Sequence, residues 1–186
     1  LEQRLSAELY INPQSPAQAE QLHTWLKQQP AITAVVPLWQ VSIPLQGWPT
    51  DIHGIIDHPH FRQHWPLLES SGDKPWEQLA AADTLMLSEQ LARRLKVRVG
   101  DQLSLPTPQG AWALRIVGVY ADYGNPKGHV LVNADHLLAH WPQLTPNRFN
   151  LRIEPPAIPA LLTALQARFN LDDSRIVDQA RLKGWS

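Results

Sequence analysis

Histidine is the residue type in this chain best suited to chemistry, and it clusters twice. In Asp57-His58-Pro59-His60-Phe61-Arg62-Gln63-His64, three imidazoles and a carboxylate lie close together. Imidazole nitrogen is a good zinc ligand, and Asp57 would add an oxygen donor. The spacing matches no zinc signature, and Pro59 and a loop-like composition loosen the geometry, so the segment reads as a solvated connection. His136 and His140 stand at i, i+4 on one face of an expected helix. The glutamate that completes a metalloprotease motif is missing there. Ser88 has no Gly-x-Ser-x-Gly elbow around it and reads as a helix N-cap rather than a nucleophile. Arg93, Arg94, Lys96 and Arg98 form a short basic cluster. It reads as a solvated face, with contact to an acidic partner or to lipid headgroups as the alternative. No Gly-x-Gly-x-x-Gly or phosphate loop is present, so no nucleotide site is expected. No residue is therefore assigned a catalytic, cofactor-binding or metal-ligating role, no cofactor is expected, and the chain reads as a module that moves or binds.

The bulk properties agree with that reading. The chain has 186 residues, 44% hydrophobic and 18% charged, enough for one medium domain or two small lobes with a real core. Its 16 basic and 17 acidic residues leave a net charge of -1, which argues against a nucleic-acid partner. Cysteine is absent, which rules out disulfides, thiolate metal sites and a cysteine nucleophile. No apolar run is long enough to span a bilayer. The chain begins at Leu1 and stops at Lys183-Gly184-Trp185-Ser186, and it reads as a piece of a longer protein. Seventeen prolines argue against a long helical bundle.

The elements that must position these residues fall into a repeated pattern. Leu5 to Ile11 alternates as a strand does. Ser15 then caps a helix, with Pro16 at its first position and Gln18 completing a capping box. Ala19, Leu22, Trp25 and Leu26 give this helix an apolar face, and Gln29-Pro30 ends it. Ile32 to Val36 and Trp39 to Leu45 follow as a proline-broken strand region. Gly47-Trp48-Pro49 reads as a turn and Asp51 to Ile56 as a strand. Near the other end, Phe149 to Ile153 is a strand broken by Pro155-Pro156. Ile158, Leu161, Leu162, Leu165 and Phe169 then form the clearest helical stripe, and Arg175 to Val177 restarts as a strand.

Two strand-helix-strand units make a split β-α-β, ferredoxin-like lobe of an α+β protein. That lobe is expected to comprise residues 1–57 and 143–186, with 58–142 inserted as a second, mixed α/β lobe. Within the insert, Trp76 to Ala82 reads as a short helix. Ser88 opens a helix carrying Leu91, Ala92 and Leu95. Val99 to Leu105 and Ala111 to Tyr120 pair around Pro106-Thr107-Pro108-Gln109-Gly110. Gly128 to Val132 is a buried strand, and Asn133 caps a helix bearing Leu137, Leu138 and Trp141. The first and last strands of a ferredoxin-like lobe are adjacent and antiparallel, so both chain ends should leave it at the same edge. Of the eight tryptophans, Trp25 and Trp141 read as core. Trp39, Trp48, Trp65 and Trp76 are candidates to line an apolar groove.

Three segments carry a resemblance: Leu87-Ser88-Glu89-Gln90-Leu91-Ala92-Arg93-Arg94-Leu95, Val97-Arg98-Val99-Gly100-Asp101 and Val117-Gly118-Val119-Tyr120. Together they resemble the periplasmic core domain of MacB/FtsX-type ABC transporter permeases. The end segments look like that family's porter lobe and the insert like its sabre lobe. Arg181-Leu182-Lys183-Gly184-Trp185 resembles the linker into the next membrane helix. The residues have physical readings of their own. Gly100 should take positive φ, Asp101 should accept backbone N–H bonds, and Gly118 should mark a bulge or close approach. Family members often carry glycine where Lys96 stands, which would place Lys96 in a left-handed conformation.

The resemblance implies a non-enzymatic domain on the periplasmic face of the bacterial inner membrane. It would relay ATP-driven conformational change to substrate or partner handling outside. The implied partners are a cytoplasmic ABC ATPase acting through the membrane helices, a second permease copy or homologue, and a periplasmic protein or a lipid or peptide substrate. The alternative is a free-standing periplasmic ligand-binding or adaptor module.

Overall fold

The computed structural model describes residues 7–56, 62, 65–81 and 83–178. In chain order the described elements are β1 (Ala7–Ile11), α1 (Pro16–Lys27), β2 (Ile32–Leu45), β3 (Trp48–Ile55), β4 (Leu67–Ser70), α2 (Pro75–Ala80), β5 (Thr84–Ser88), α3 (Glu89–Leu95), β6 (Gln102–Thr107), β7 (Gly110–Tyr120), β8 (Gly128–Asn133), α4 (Ala134–His140), β9 (Arg148–Ile153), α5 (Ile158–Phe169) and β10 (Ile176–Asp178). They form an α+β protein whose strands pair in both senses.

Two compact units divide the chain: Leu1–Leu38 with Thr145–Ser186, and Trp39–Leu144. The division falls after Leu38, not at 57/58. The reason is the tight hairpin of β2 and β3, which commits residues 39–55 to the second unit, where β3 pairs with β8.

In the first unit, four strands pair antiparallel in the order β10-β1-β9-β2, as a split β-α-β pattern requires. Alternation along β1 sends Leu9 and Ile11 to one face, where both are buried. Phe149, Leu151 and Ile153 of β9 join them. Ala19, Leu22 and Leu26 of α1 and Leu161 and Leu165 of α5 cover that face. Burying each Leu or Ile contributes roughly 1.5–3 kcal/mol. Ser15 caps α1 by accepting from the Gln18 N–H at 3.2 Å. The Gln18 side chain reaches back to the N–H of Gln14 at 2.8 Å, one residue before the capping-box position.

In the second unit, the remainder of β2 pairs with β3, and β3, β8, β5 and β7 follow in that order. β4 and β6 pair with β7 over different stretches of its length. Leu85 and Leu87 of β5, Val130 and Val132 of β8, and Leu91 and Leu95 of α3 form the heart of its core.

Several local expectations change. β2 is one unbroken strand through Pro37 and Pro44. It pairs with β9 up to Leu38 and with β3 from Trp39, so at each point it has one partner. Half of its N–H groups then face away from that partner, which is where a strand tolerates proline. The turn expected at Gly47-Trp48-Pro49 is the two-residue link Gln46-Gly47, both at positive φ (48° and 80°), and Trp48 and Pro49 belong to β3. Thr84–Ser88 is a fully buried strand, so a strand does lead into α3 at Ser88.

Other readings hold. Gly100 has φ 97°, and Asp101 accepts from the Arg98 N–H at 2.8 Å. Lys96 is left-handed at φ 57°. The pairing of β5 with β7 slips between Leu85 and Met86, and a Cβ on Gly118 would lie 3.0 Å from Cγ of Met86.

Candidate functional site

A hydrogen-bonded polar group, partly buried, lies in the second unit. It is assembled by strand pairing. Gln40 and His53 are cross-strand partners in the β2–β3 hairpin, and Asp51 and His129 are partners in the parallel β3–β8 pair. Tyr120 ends β7. These placements produce one hydrogen-bonded chain. The Tyr120 hydroxyl meets Nδ1 of His129. Nε2 of His129 lies 2.8 Å from Nδ1 of His53, and Nε2 of His53 lies 3.0 Å from Oε1 of Gln40. Tyr120 is 0% exposed and His129 5%. The Trp65 ring lies 5.9 Å from that of His129 and 6.2 Å from that of Tyr120, centre to centre.

The partners fix the protons. An amide oxygen only accepts, so Nε2 of His53 carries hydrogen. In a neutral ring its Nδ1 then accepts from Nε2–H of His129, whose Nδ1 in turn accepts from Tyr120. With both rings neutral, every bond runs in one direction. Burial pushes the Tyr120 hydroxyl well above its usual range, with Asp122 adding to the effect. Burial also holds His129 below the usual imidazole value, against the opposing pull of Asp122 and Asp51. Asp51 is itself engaged, accepting from Ser42 Oγ at 2.6 Å with Lys127 Nζ at 3.8 Å.

Sequence reading passed over this chain. The one local signal was a histidine inside the apolar run Gly128-His129-Val130-Leu131-Val132; its partners are 9 and 76 residues away.

The residues singled out from the sequence stand elsewhere. Asp57, His58, His60 and His64 lie outside the described residues. His140 donates from Nδ1 to the His136 carbonyl at 3.0 Å, and its ring stacks on Trp112 at 3.9 Å. Among the described residues, no group of three or more histidine or carboxylate side chains converges as a metal site would. Ser88 occupies the N-cap backbone position of α3, but its hydroxyl caps nothing; it is buried without a hydrogen-bond partner.

The basic cluster is divided among separate partners. Arg93 pairs with Glu89 at 3.2 Å and Arg98 with Glu69 at 3.9 Å, while the Arg94 guanidinium lies 3.5 Å over the Trp48 ring. Arg93, Lys96 and Arg98 line one open cleft with Leu68 and Val119. Trp39, Trp48 and Trp141 pack on the second core, Trp76 borders a small apolar pocket with Ile55 and Leu79, and Trp25 meets Phe169 edge-on at 5.5 Å.

This arrangement can hold a proton between two neighbouring imidazole rings. The family model of the MacB-like periplasmic core domain matches residues 2–168. The chain belongs to that family. It is thus a periplasmic core domain of a MacB-like ABC-type transporter. No curated protein sequence matches the chain.

Two solved structures share the fold. One is the periplasmic region of MacB from Actinobacillus actinomycetemcomitans: TM-score 0.60, 12% identity, covering 97% of this chain and 92% of that one. The other is the extracellular domain of the noncanonical ABC-type transporter YknZ from Gram-positive bacteria: TM-score 0.60, 15% identity, covering 94% and 100%. Among the described residues no helix is long and apolar enough to cross a membrane.

Proposed function

We propose that this chain works on the periplasmic face of the bacterial inner membrane as the external domain of a permease, relaying ATP-driven movement to a substrate or partner. The observation that carries the reading is the pairing of β1 with β10. Leu9 stands opposite Asp178 and Ile11 opposite Ile176, so the chain enters β1 and leaves β10 at the same end of the sheet. A domain held between two membrane helices needs that geometry. In this reading the first unit is the porter-like lobe that receives movement, and the second is the sabre-like lobe that presents it. The ATPase is a separate cytoplasmic partner acting through the membrane helices. A second permease copy completes the transporter, and the cargo or contact is a periplasmic protein, a lipid or a peptide.

The chain has no cysteine, so labels can be placed freely. In the full permease with its ATPase in liposomes, spin labels at Gln21→Cys and Gln109→Cys report one position in each unit. The distance distribution should change between the nucleotide-free and ATP-trapped states. An unchanged distribution would defeat the relay. Recovery of the native protein in the osmotic-shock fluid rather than the membrane pellet would favour the free-standing module instead.

A further inference from the structure

We propose that the Tyr120–His129–His53–Gln40 chain is an acid-sensitive latch in the second unit, closed when both rings are neutral and loosened when the pair takes up a proton. The inference goes beyond the permease reading and does not depend on it.

The argument is one of donors and acceptors. In the neutral state three hydrogens serve three acceptors in sequence, and Gln40 terminates the run. A proton added to the pair makes both nitrogens of one ring donors. If it settles on His53, then Nδ1–H of His53 must find an acceptor at Nε2 of His129. His129 then carries its hydrogen on Nδ1, facing Tyr120. The Tyr120 oxygen becomes an acceptor and must turn its own hydrogen elsewhere. If the proton settles on His129, Nδ1–H again meets the Tyr120 oxygen, with the same result. Tyr120 is 0% exposed, so the displaced hydroxyl hydrogen has no solvent to reach.

Relief comes from opening. Trp65 lies over both His129 and Tyr120, and moving it would let water reach the hydroxyl. The charged groups acting on His129 are Asp122, in the loop after β7, and Asp51, on β3. Both favour the added proton, against burial, which outweighs them and holds His129 below the usual imidazole value. Lys127, beside Asp51, moderates that pull. Four strands, β2, β3, β7 and β8, and the Trp65 ring meet at this chain. Their loosening would soften that unit and leave the core of the first untouched.

Amide hydrogen exchange on the purified chain tests this at about pH 7.5 and about pH 5.5, corrected for intrinsic exchange, on either side of the imidazole range. Peptides covering 113–133 and 48–55 should exchange about tenfold faster at the lower pH, while 7–27 should not change. Imidazole nitrogen shifts should show Nε2–H on both rings at the higher pH. His129→Gln should abolish the difference, as should His53→Gln if the first variant does not fold. Replacing His58, His60 and His64 together with Asn should leave it intact. A wild type without the difference, its persistence in the His53 or His129 variant, or its loss in the triple variant would each overturn the proposal.

Discussion

Leu9 and Asp178 face each other across the antiparallel pair of β1 and β10. Sequence neighbours of these two residues are therefore also neighbours in space, although 169 positions apart (178 − 9). Antiparallel partners lie about 4.5–5.5 Å apart at Cα, which is within reach of a disulfide. Tyr10 and Val177 are the adjacent pair. The double variant Tyr10→Cys/Val177→Cys should close an intramolecular disulfide on mild oxidation, read as loss of free thiol without dimer formation. Thiols that stay free would contradict the register.

Gly54 has no room for a side chain. A Cβ there would lie 2.6 Å from Cδ2 of Leu137 and 3.2 Å from Cα of Ala134, so α4 would have to move off β3. Gly54→Ala should cost about 1–3 kcal/mol in urea unfolding. Gly47 meets nothing within 4 Å but has φ 80°. Gly47→Ala should cost about 1 kcal/mol from backbone strain alone. Equal and negligible costs would show that α4 does not pack as described.

Lys96 ends α3 in the left-handed region, where glycine is the usual choice. Lys96→Gly should raise stability by about 0.5–1 kcal/mol, the strain removed exceeding the extra chain entropy lost. A loss of stability would show that the lysine side chain contributes a contact of its own.

Arg94 lies over Trp48 with its guanidinium carbon 3.5 Å from the ring centre. Arg94→Ala should cost about 0.5–1 kcal/mol, and Arg94→Lys less. The effect should be absent in a Trp48→Leu background, because only the pair carries it. Equal costs in both backgrounds would assign the loss to helix propensity.

Acid should destabilise the protein. Burial, opposed by Asp122 and Asp51, lowers His129 below 6.5. Burial first and Lys27 second lower His23. The unfolded chain then binds these protons at a higher pH than the folded one. Between the two values it holds more protons, so stability rises with pH there. Stability should be complete above about 6.5 and fall as the pH drops through the folded values. A thermal melt series should show Tm falling on acidification, with a smaller fall in His129→Gln. A Tm that climbs on acidification would reverse the assignment.

The legible part of this chain was what neighbours in sequence decide. Pro16 after Ser15, the stripe from Ile158 to Phe169, Asn133 before α4 and Gly100-Asp101 each specify a cap, a face or a turn through residues a few positions apart. The family resemblance rode on such segments between Leu87 and Tyr120. The places where reading failed depend on partners far along the chain. Proline argues for a break, yet β2 runs through Pro37 because the strand pairs on one side at a time. Thr84–Ser88 carries no alternation because it is buried on both faces, so its strand character is invisible until β7 and β8 flank it.

The histidines make the same point more sharply. Those crowded in sequence, at 58, 60 and 64, drew attention because spacing is visible there. His53 and His129 are 76 residues apart, and their hydrogen bond exists only because β3 and β8 run side by side in parallel. Composition, caps and periodicity set the elements and the family. Which polar groups would be buried together, and which way their protons would run, was decided by strand pairing, because only a folded sheet brings such distant side chains within 3 Å and removes the water between them.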